Sequence, residues 1–250
     1  MPVVSVASES VHYRRSGGTG PPLLLVHGSG GSLRHWPESL RGSRDVDAVC
    51  VDLPGHGRSG GAGRSRVEDY ADWLSAFAEA LGITDAAVAG HSLGGAVALC
   101  LALRRPPWLS RLVLVGTGAR LRVRPEILAL VGADFPAAVR TMANWAFGPE
   151  PRTALVDEFR RGLTENGPEI LFGDLSACDR FDVMDRVDRI RLPTLVVAAD
   201  HDRLTPVKYG ACLRDKIPGA EMAVIQGAGH MMALEQETAF AARLLPFLDR

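Results

Sequence analysis

The stretch Ala86-Ala87-Val88-Ala89-Gly90-His91-Ser92-Leu93-Gly94-Gly95-Ala96-Val97-Ala98-Leu99 decides how this chain is read. Ala86 to Ala89 is short and apolar, as a buried strand is. The run from Gly95 to Leu103 is longer and rich in alanine and leucine, which favours a buried helix. Ser92 therefore sits at a strand-to-helix turn, with a glycine two residues to either side. A turn that tight strains its central residue and leaves no room for side chains at the flanking positions. It pushes the serine hydroxyl into the open, with the N–H of Leu93 aimed at any negative charge that develops beside it. This is the geometry of a nucleophile elbow. The same pattern recurs at Gly57-Arg58-Ser59-Gly60-Gly61. There the following Ala62-Gly63-Arg64-Ser65-Arg66 is polar and flexible and cannot open a buried helix, so Ser59 reads as a loop residue.

Outward from the elbow, further strands alternate with helical patterns. Towards the amino terminus, Val3 to Ala7 and Val11 to Arg15 read as a hairpin, and Leu23-Leu24-Leu25-Val26 as a strand covered on both faces. Ser32 to Arg41 reads as a short helix, Asp47 to Asp52 as a strand and Val67 to Leu81 as a helix. Beyond the elbow come a strand at Arg111 to Gly116, one at Leu195 to Asp200 and one at Glu221 to Ile225. A helix is expected through Lys216, with Thr205 as its N-cap and Pro206 at its first position. A final helix runs from about Glu235 to Leu248. Between Thr117 and Thr194 the strand pattern vanishes. Pro125 to Val131, Phe135 to Phe147, Pro151 to Gly162 and Pro168 to Cys178 have helical spacing instead, so 118–188 reads as a helical insertion in a core made of 1–117 and 189–250.

Composition narrows the function. With 28 basic and 29 acidic residues and a net charge of −1, the chain offers no long-range field to nucleic acid or an anionic membrane. No apolar run reaches membrane-spanning length, and Met1-Pro2-Val3-Val4-Ser5-Val6 lacks the basic and apolar segments of a leader, so a cytoplasmic location is expected. Cys50, Cys100, Cys178 and Cys212 have no zinc or dithiol spacing and read as four buried free thiols, and the seven histidines show no metal-binding spacing. No metal is expected.

One motif competes. Gly55-His56-Gly57-Arg58-Ser59-Gly60 follows a strand and imitates a dinucleotide fingerprint, with Glu79 near the position of a ribose-binding acid. That fingerprint must open its helix directly. Here six residues, Gly60 to Ser65, intervene before the helical pattern, so phosphate would meet no helix terminus. No cofactor is expected, and His56 and its glycines read as a structural turn.

A serine hydroxyl needs a base, and the base needs a carboxylate to hold its tautomer. After Ser92 the chain supplies Asp202, with Asp200 as rival, in one post-strand loop and His230 in another. A strand ending in His27-Gly28-Ser29-Gly30-Gly31 can aim the N–H of Ser29 at the space above Ser92, beside that of Leu93. Together His27 to Ser29, Gly90 to Gly94, Asp202 to Pro206 and Gly227 to His230 resemble the α/β-hydrolase superfamily over nearly the whole chain. Pro54 to Ser59 also looks like the turn that many members carry after their fourth strand.

The resemblance implies an α/β fold with a mostly parallel central sheet flanked by helices and a helical cap. It makes Ser92 the nucleophile, His230 the base and then acid, Asp202 the orienting carboxylate, and Ser29 and Leu93 the oxyanion donors. Asp202, four residues before the proline, matches the family position better than Asp200. His91 and His201 read as neighbours that position backbone.

The expected activity is hydrolysis of a small carboxylic ester or lactone through an acyl-enzyme, by a monomer or homodimer. Two other readings stay open: a carbon-carbon hydrolase of ring-fission products, and a ligand-sensing receptor that retains the triad. Phe135, Met142, Trp145, Phe147 and Phe172 are candidates for the pocket wall, of which one or two are expected to touch substrate; Met231 joins them beside His230. Arg120, Arg122 and Arg124 can meet a carboxylate, but exposed hinge positions suit them better.

Overall fold

Leu23–Val26 (β3) is apolar throughout and has no exposed side chain, so it lies inside a sheet that is covered on both faces. The computed structural model describes residues 3–250; Met1 and Pro2, which open the segment read above for a leader, lie outside the described residues. Val3–Val6 (β1) and Glu9–Arg15 (β2) form the hairpin. Its turn places Ala7 and Ser8 at positive φ, 47° and 68°, without a glycine. Beyond β3 come Ala48–Val51 (β4), Ala86–His91 (β5), Leu109–Val115 (β6), Thr194–Ala199 (β7) and Glu221–Ile225 (β8). The sheet order is β1-β2-β4-β3-β5-β6-β7-β8, antiparallel as far as the β2–β4 pair and parallel from β4 to β8.

After β3 the chain steps to β4 on one side and then crosses to β5 on the other. The carboxyl ends of β3 and β5 thus flank a switch point, where open α/β sheets place their ligands. Alternation along β5 divides the core. Ala86 and Val88 face a layer that contains Val67–Ala80 (α2) and Leu93–Arg104 (α3); Ala87 and Ala89 face the layer of Glu237–Leu248 (α9). In α3 ten of twelve residues are buried, which explains why its sequence carries so little polarity.

Several boundaries depart from the sequence reading for identifiable reasons. The segment 32–41 is a 3-10 turn, Leu33–His35, followed by a separate α1 (Glu38–Arg41). Pro37 lies between them with its fixed φ and missing N–H. The insertion contains Pro125–Ala133 (α4), Phe135–Ala146 (α5) and Thr153–Arg180 (α6). The last is broken at Gly167, at φ 85° and ψ 172°, because Pro168 forbids helical backbone before it. Val207–Lys216 (α7) begins one residue later than expected, with Pro206 at its cap and the Thr205 side chain engaged elsewhere. The final helix is two, Met232–Glu235 (α8) and α9, separated at Gln236. Cys50, Cys100 and Cys178 are buried free thiols, but Cys212 is half-exposed.

Candidate functional site

Ser92 is held at φ 53°, ψ −113°, a conformation that a residue with a Cβ adopts at a cost of about 1–3 kcal/mol. The surroundings impose it. The Ser92 N–H donates to the Val115 carbonyl at 2.9 Å, and its carbonyl accepts from Gly95 N–H and the Thr117 hydroxyl at 2.9 and 2.8 Å. The flanking glycines are required by space: a Cβ on Gly90 would stand 2.1 Å from the Gly94 carbonyl oxygen, and one on Gly94 would stand 2.3 Å from that of Val26. Leu93 is the first residue of α3, so its N–H has no partner within the helix. Ser59 is a loop residue: its hydroxyl donates to the Asp52 carbonyl at 2.7 Å and accepts from the His12 N–H at 2.9 Å.

The loops after β7 and β8 bring Asp202 and His230 together, with Nδ1 donating to Oδ2 at 2.8 Å. That bond leaves Nε2 as the free acceptor of the ring. The Thr205 hydroxyl donates to the same Oδ2 at 2.8 Å, while Oδ1 accepts the N–H groups of Leu204 and Thr205 at 2.9 and 2.8 Å. Burial alone would raise the Asp202 pKa, but His230 and these donors outweigh it and hold the carboxyl below its ordinary value. Thr205 therefore secures the carboxylate and does not cap α7. Among the described residues Asp200 accepts only from the Ala228 N–H, at 3.3 Å, and lies 3.7 Å from the exposed His201 ring.

His91 donates from Nε2 to the His230 carbonyl at 2.9 Å, and burial holds its pKa well below the usual range. Glu235 accepts from the N–H groups of Gly229 and Gly148, at 2.9 and 2.7 Å, tying the His230 loop to the insertion. Sequence reasoning gave Glu235 no such part.

The glycine loop after β3 is laced from two sides. His27 donates from Nδ1 to the Gly28 carbonyl and accepts the Leu53 N–H at Nε2, joining the ends of β3 and β4. From α6, Asn166 donates to the carbonyls of Gly30 and Gly31, and the buried Asp174 accepts the Gly30 N–H at 2.7 Å. Asp174 also accepts from His56 Nε2 at 2.8 Å and the Tyr70 hydroxyl at 2.6 Å. His56 Nδ1 faces the Pro54 carbonyl, so both of its nitrogens face acceptors, an arrangement that the imidazolium form satisfies. Burial would lower its pKa, but Asp174 outweighs burial and the pKa stands above the ordinary value. Neither Asn166 nor Asp174 was legible as a site residue, because nothing in their local spacing points to a loop more than a hundred residues away.

A cavity of about 480 Å³ opens over Ser92, within the range of small-molecule sites. Ser29, Ser92, His91 and His230 line it, as do Met142, Trp145 and Met231. Phe135 and Phe147 do not reach it: Phe147 is buried with its ring edge-on to Phe159, and Phe135 packs among the insertion helices. Phe172 is exposed. His35 lines the cavity unanticipated. It stacks on Phe159, burial brings its pKa down to about 3, and its Nδ1 has no partner among the described residues.

The sequence matches the alpha/beta hydrolase family over residues 23–243, and the chain belongs to that family. It is 32% identical over 243 residues to the pimeloyl-[acyl-carrier protein] methyl ester esterase of Neisseria meningitidis serogroup C / serotype 2a, covering 91% of this chain and 93% of that protein. It is 31% identical over 245 residues to RutD of Pseudomonas savastanoi pv. phaseolicola, a protein named for carbamate hydrolysis, covering 92% and 94%. Among solved structures, a thermophilic esterase superposes with a TM-score of 0.88 at 36% identity, covering 99% of this chain and 96% of the other.

Proposed function

We propose that this chain is a serine hydrolase of small carboxylic esters or lactones, in which Ser92 is the nucleophile, His230 the base and Asp202 the orienting carboxylate. The observation that carries the reading is the 2.8 Å Asp202–His230 bond, made beside the same cavity that the strained Ser92 faces. His230 Nε2 takes the Ser92 proton as Oγ attacks the acyl carbon. The carbonyl oxygen becomes an oxyanion between the N–H groups of Ser29 and Leu93, each worth on the order of 10²–10³ in kcat. His230 then gives its proton to the departing alkoxide, leaving an acyl-enzyme. Water, deprotonated by the same ring, attacks that ester, and the returning proton frees Ser92. The insertion, 118–188, acts as a cap that supplies Met142 and Trp145 to the acyl pocket. A carbamate carbonyl would pass through the same steps, which the relative named for carbamate hydrolysis makes the second reading.

Steady release of p-nitrophenol from p-nitrophenyl butyrate tests the proposal. Ser92→Ala is expected to lower kcat by about 10⁶ and Asp202→Asn by about 10⁴, whereas Asp200→Asn retains most of the rate. A single burst that stops would favour the receptor reading, and fluorophosphonate labelling of Ser59 in place of Ser92 would refute the nucleophile. p-Nitrophenyl N-methylcarbamate, assayed alongside, decides between the ester and carbamate readings.

A further inference from the structure

Resting on that reading of Ser92, we infer that the substrate carries a negative charge, a carboxylate or a phosphate, at the end away from the scissile bond, held by Arg122, Arg124, Arg203 and Lys208 at the cavity mouth. All four residues line the cavity, and among the described residues no aspartate or glutamate does. The chain as a whole has a net charge of −1, so this concentration of one sign is local.

The four come from two separate stretches. Arg122 and Arg124 stand where the chain enters the insertion, and Arg203 and Lys208 follow β7 into α7. All are exposed, whereas Ser92 and His230 lie at the inner end of the same space, so the cations sit at the rim and the nucleophile at the floor. Between them the wall is apolar, with Ile127, Met142, Trp145 and Leu175. That order suits an acyl chain whose carbonyl reaches Ser92 and whose far end is an anion.

Among the described residues three of the rim cations, Arg124, Arg203 and Lys208, have no carboxylate within 4.0 Å, and the fourth, Arg122, has only Asp182, at 3.8 Å and shared with Arg120. Arg122 also donates from Nη1 to the Asp179 carbonyl at 2.5 Å. The Arg124 guanidinium lies 5.5 Å from the Trp145 ring centroid, which anchors it over the apolar wall. The first turn of α7 contains Lys208 and no acid. Helix dipoles favour the reverse, so the local preference is overridden at this end, and the positive helix terminus adds to the field of the lysine.

The experiment compares kcat/KM for p-nitrophenyl butyrate with that for the mono-p-nitrophenyl esters of glutaric acid and of 4-phosphooxybutyric acid, which share its scissile bond. The better charged ester is expected to exceed the neutral one about tenfold, and which of the two leads identifies carboxylate or phosphate. The ratio should fall towards one in 1 M salt, where screening length drops from about 10 Å to about 3 Å. It should also fall about tenfold in Arg203→Glu/Lys208→Glu, and by less in Arg203→Gln/Lys208→Gln. Arg44→Glu, a charge reversal away from the cavity, should leave it unchanged. A ratio at or below one, or one that the charge reversals do not move, overturns the inference while leaving ester hydrolysis standing. If no ester is turned over, the function fails first. Calorimetric titration of Ser92→Ala with glutarate and with inorganic phosphate then decides the anion site alone: millimolar binding of either, lost in the charge reversals, supports it, and absence of binding refutes it.

Discussion

Asp174→Ala removes one acceptor from three donors at once. The carboxylate has no exposed surface and receives the Gly30 N–H, the His56 Nε2–H and the Tyr70 hydroxyl at 2.7, 2.8 and 2.6 Å. Burial pushes the Tyr70 phenol up, so it stays protonated as a donor. With the carboxylate gone, the His56 cation loses its counter-charge and must deprotonate, and two further buried donors are left open. Breaking a buried ion pair from one side costs about 3–5 kcal/mol, and because the three contacts share one group their separate costs are not summed. For a chain of this length each kcal/mol shifts Tm by about 2–4 °C, so the expected fall is roughly 6–20 °C by calorimetry.

Activity should also respond. The freed Gly30 lies next to Ser29, so loosening the loop is expected to lower kcat more than it raises KM. Asp174→Asn, which keeps the shape and one acceptor oxygen, should fall between. Urea unfolding of Asp174→Asn, Tyr70→Phe and the double variant measures their coupling. A loss below about 1 kcal/mol in Asp174→Ala, or zero coupling to Tyr70, would refute the claim that this carboxylate locks the insertion to the core.

Gly94→Ala should be severely destabilising, by more than about 3 kcal/mol, because its Cβ would meet the carbonyls of Val26 and His27 at 2.3 and 2.7 Å and backbone cannot swing aside. Gly132→Ala in α4, with nothing within 4 Å, should gain about 0.4–1 kcal/mol; equal effects in thermal melts would contradict the elbow packing. The acid and alkaline limbs of stability have opposite origins. The lowered Asp202 pKa contributes stability that is present above 3.8 and lost as pH falls through its folded-state value. The raised His56 pKa contributes stability that is full below 6.5 and lost as pH rises through its folded-state value. Urea midpoints of the wild type should therefore decline as pH rises above 6.5, and this decline should vanish in Asp174→Asn. A flat wild-type profile would count against the imidazolium.

Much of the fold was legible because it is written locally. Leu23–Val26 was read to the residue, since an apolar run bounded by turn residues reports burial directly, and so was Glu221–Ile225, a half-buried strand whose turn residues mark its ends. The elbow was legible because glycine at 90 and 94 answers a steric demand within five residues. Where reading failed, a local signal served two purposes. Thr205 before Pro206 has the form of a helix cap, yet its hydroxyl serves Asp202. Phe135 and Phe147 have the spacing of pocket residues, but periodicity cannot separate the side of a helix that faces a cavity from the side that faces a neighbouring helix.

By itself, then, the sequence determined the strand pattern, the strained serine turn, and the order of serine, acid and histidine at strand ends, because short-range sterics and alternation set all of these. Only the tertiary structure decided what surrounds them. Asp174 meets Gly30 across 144 residues, and four cations from two separate stretches gather at one rim. Such meetings depend on how a helical insertion folds back over the sheet, and no local periodicity encodes that.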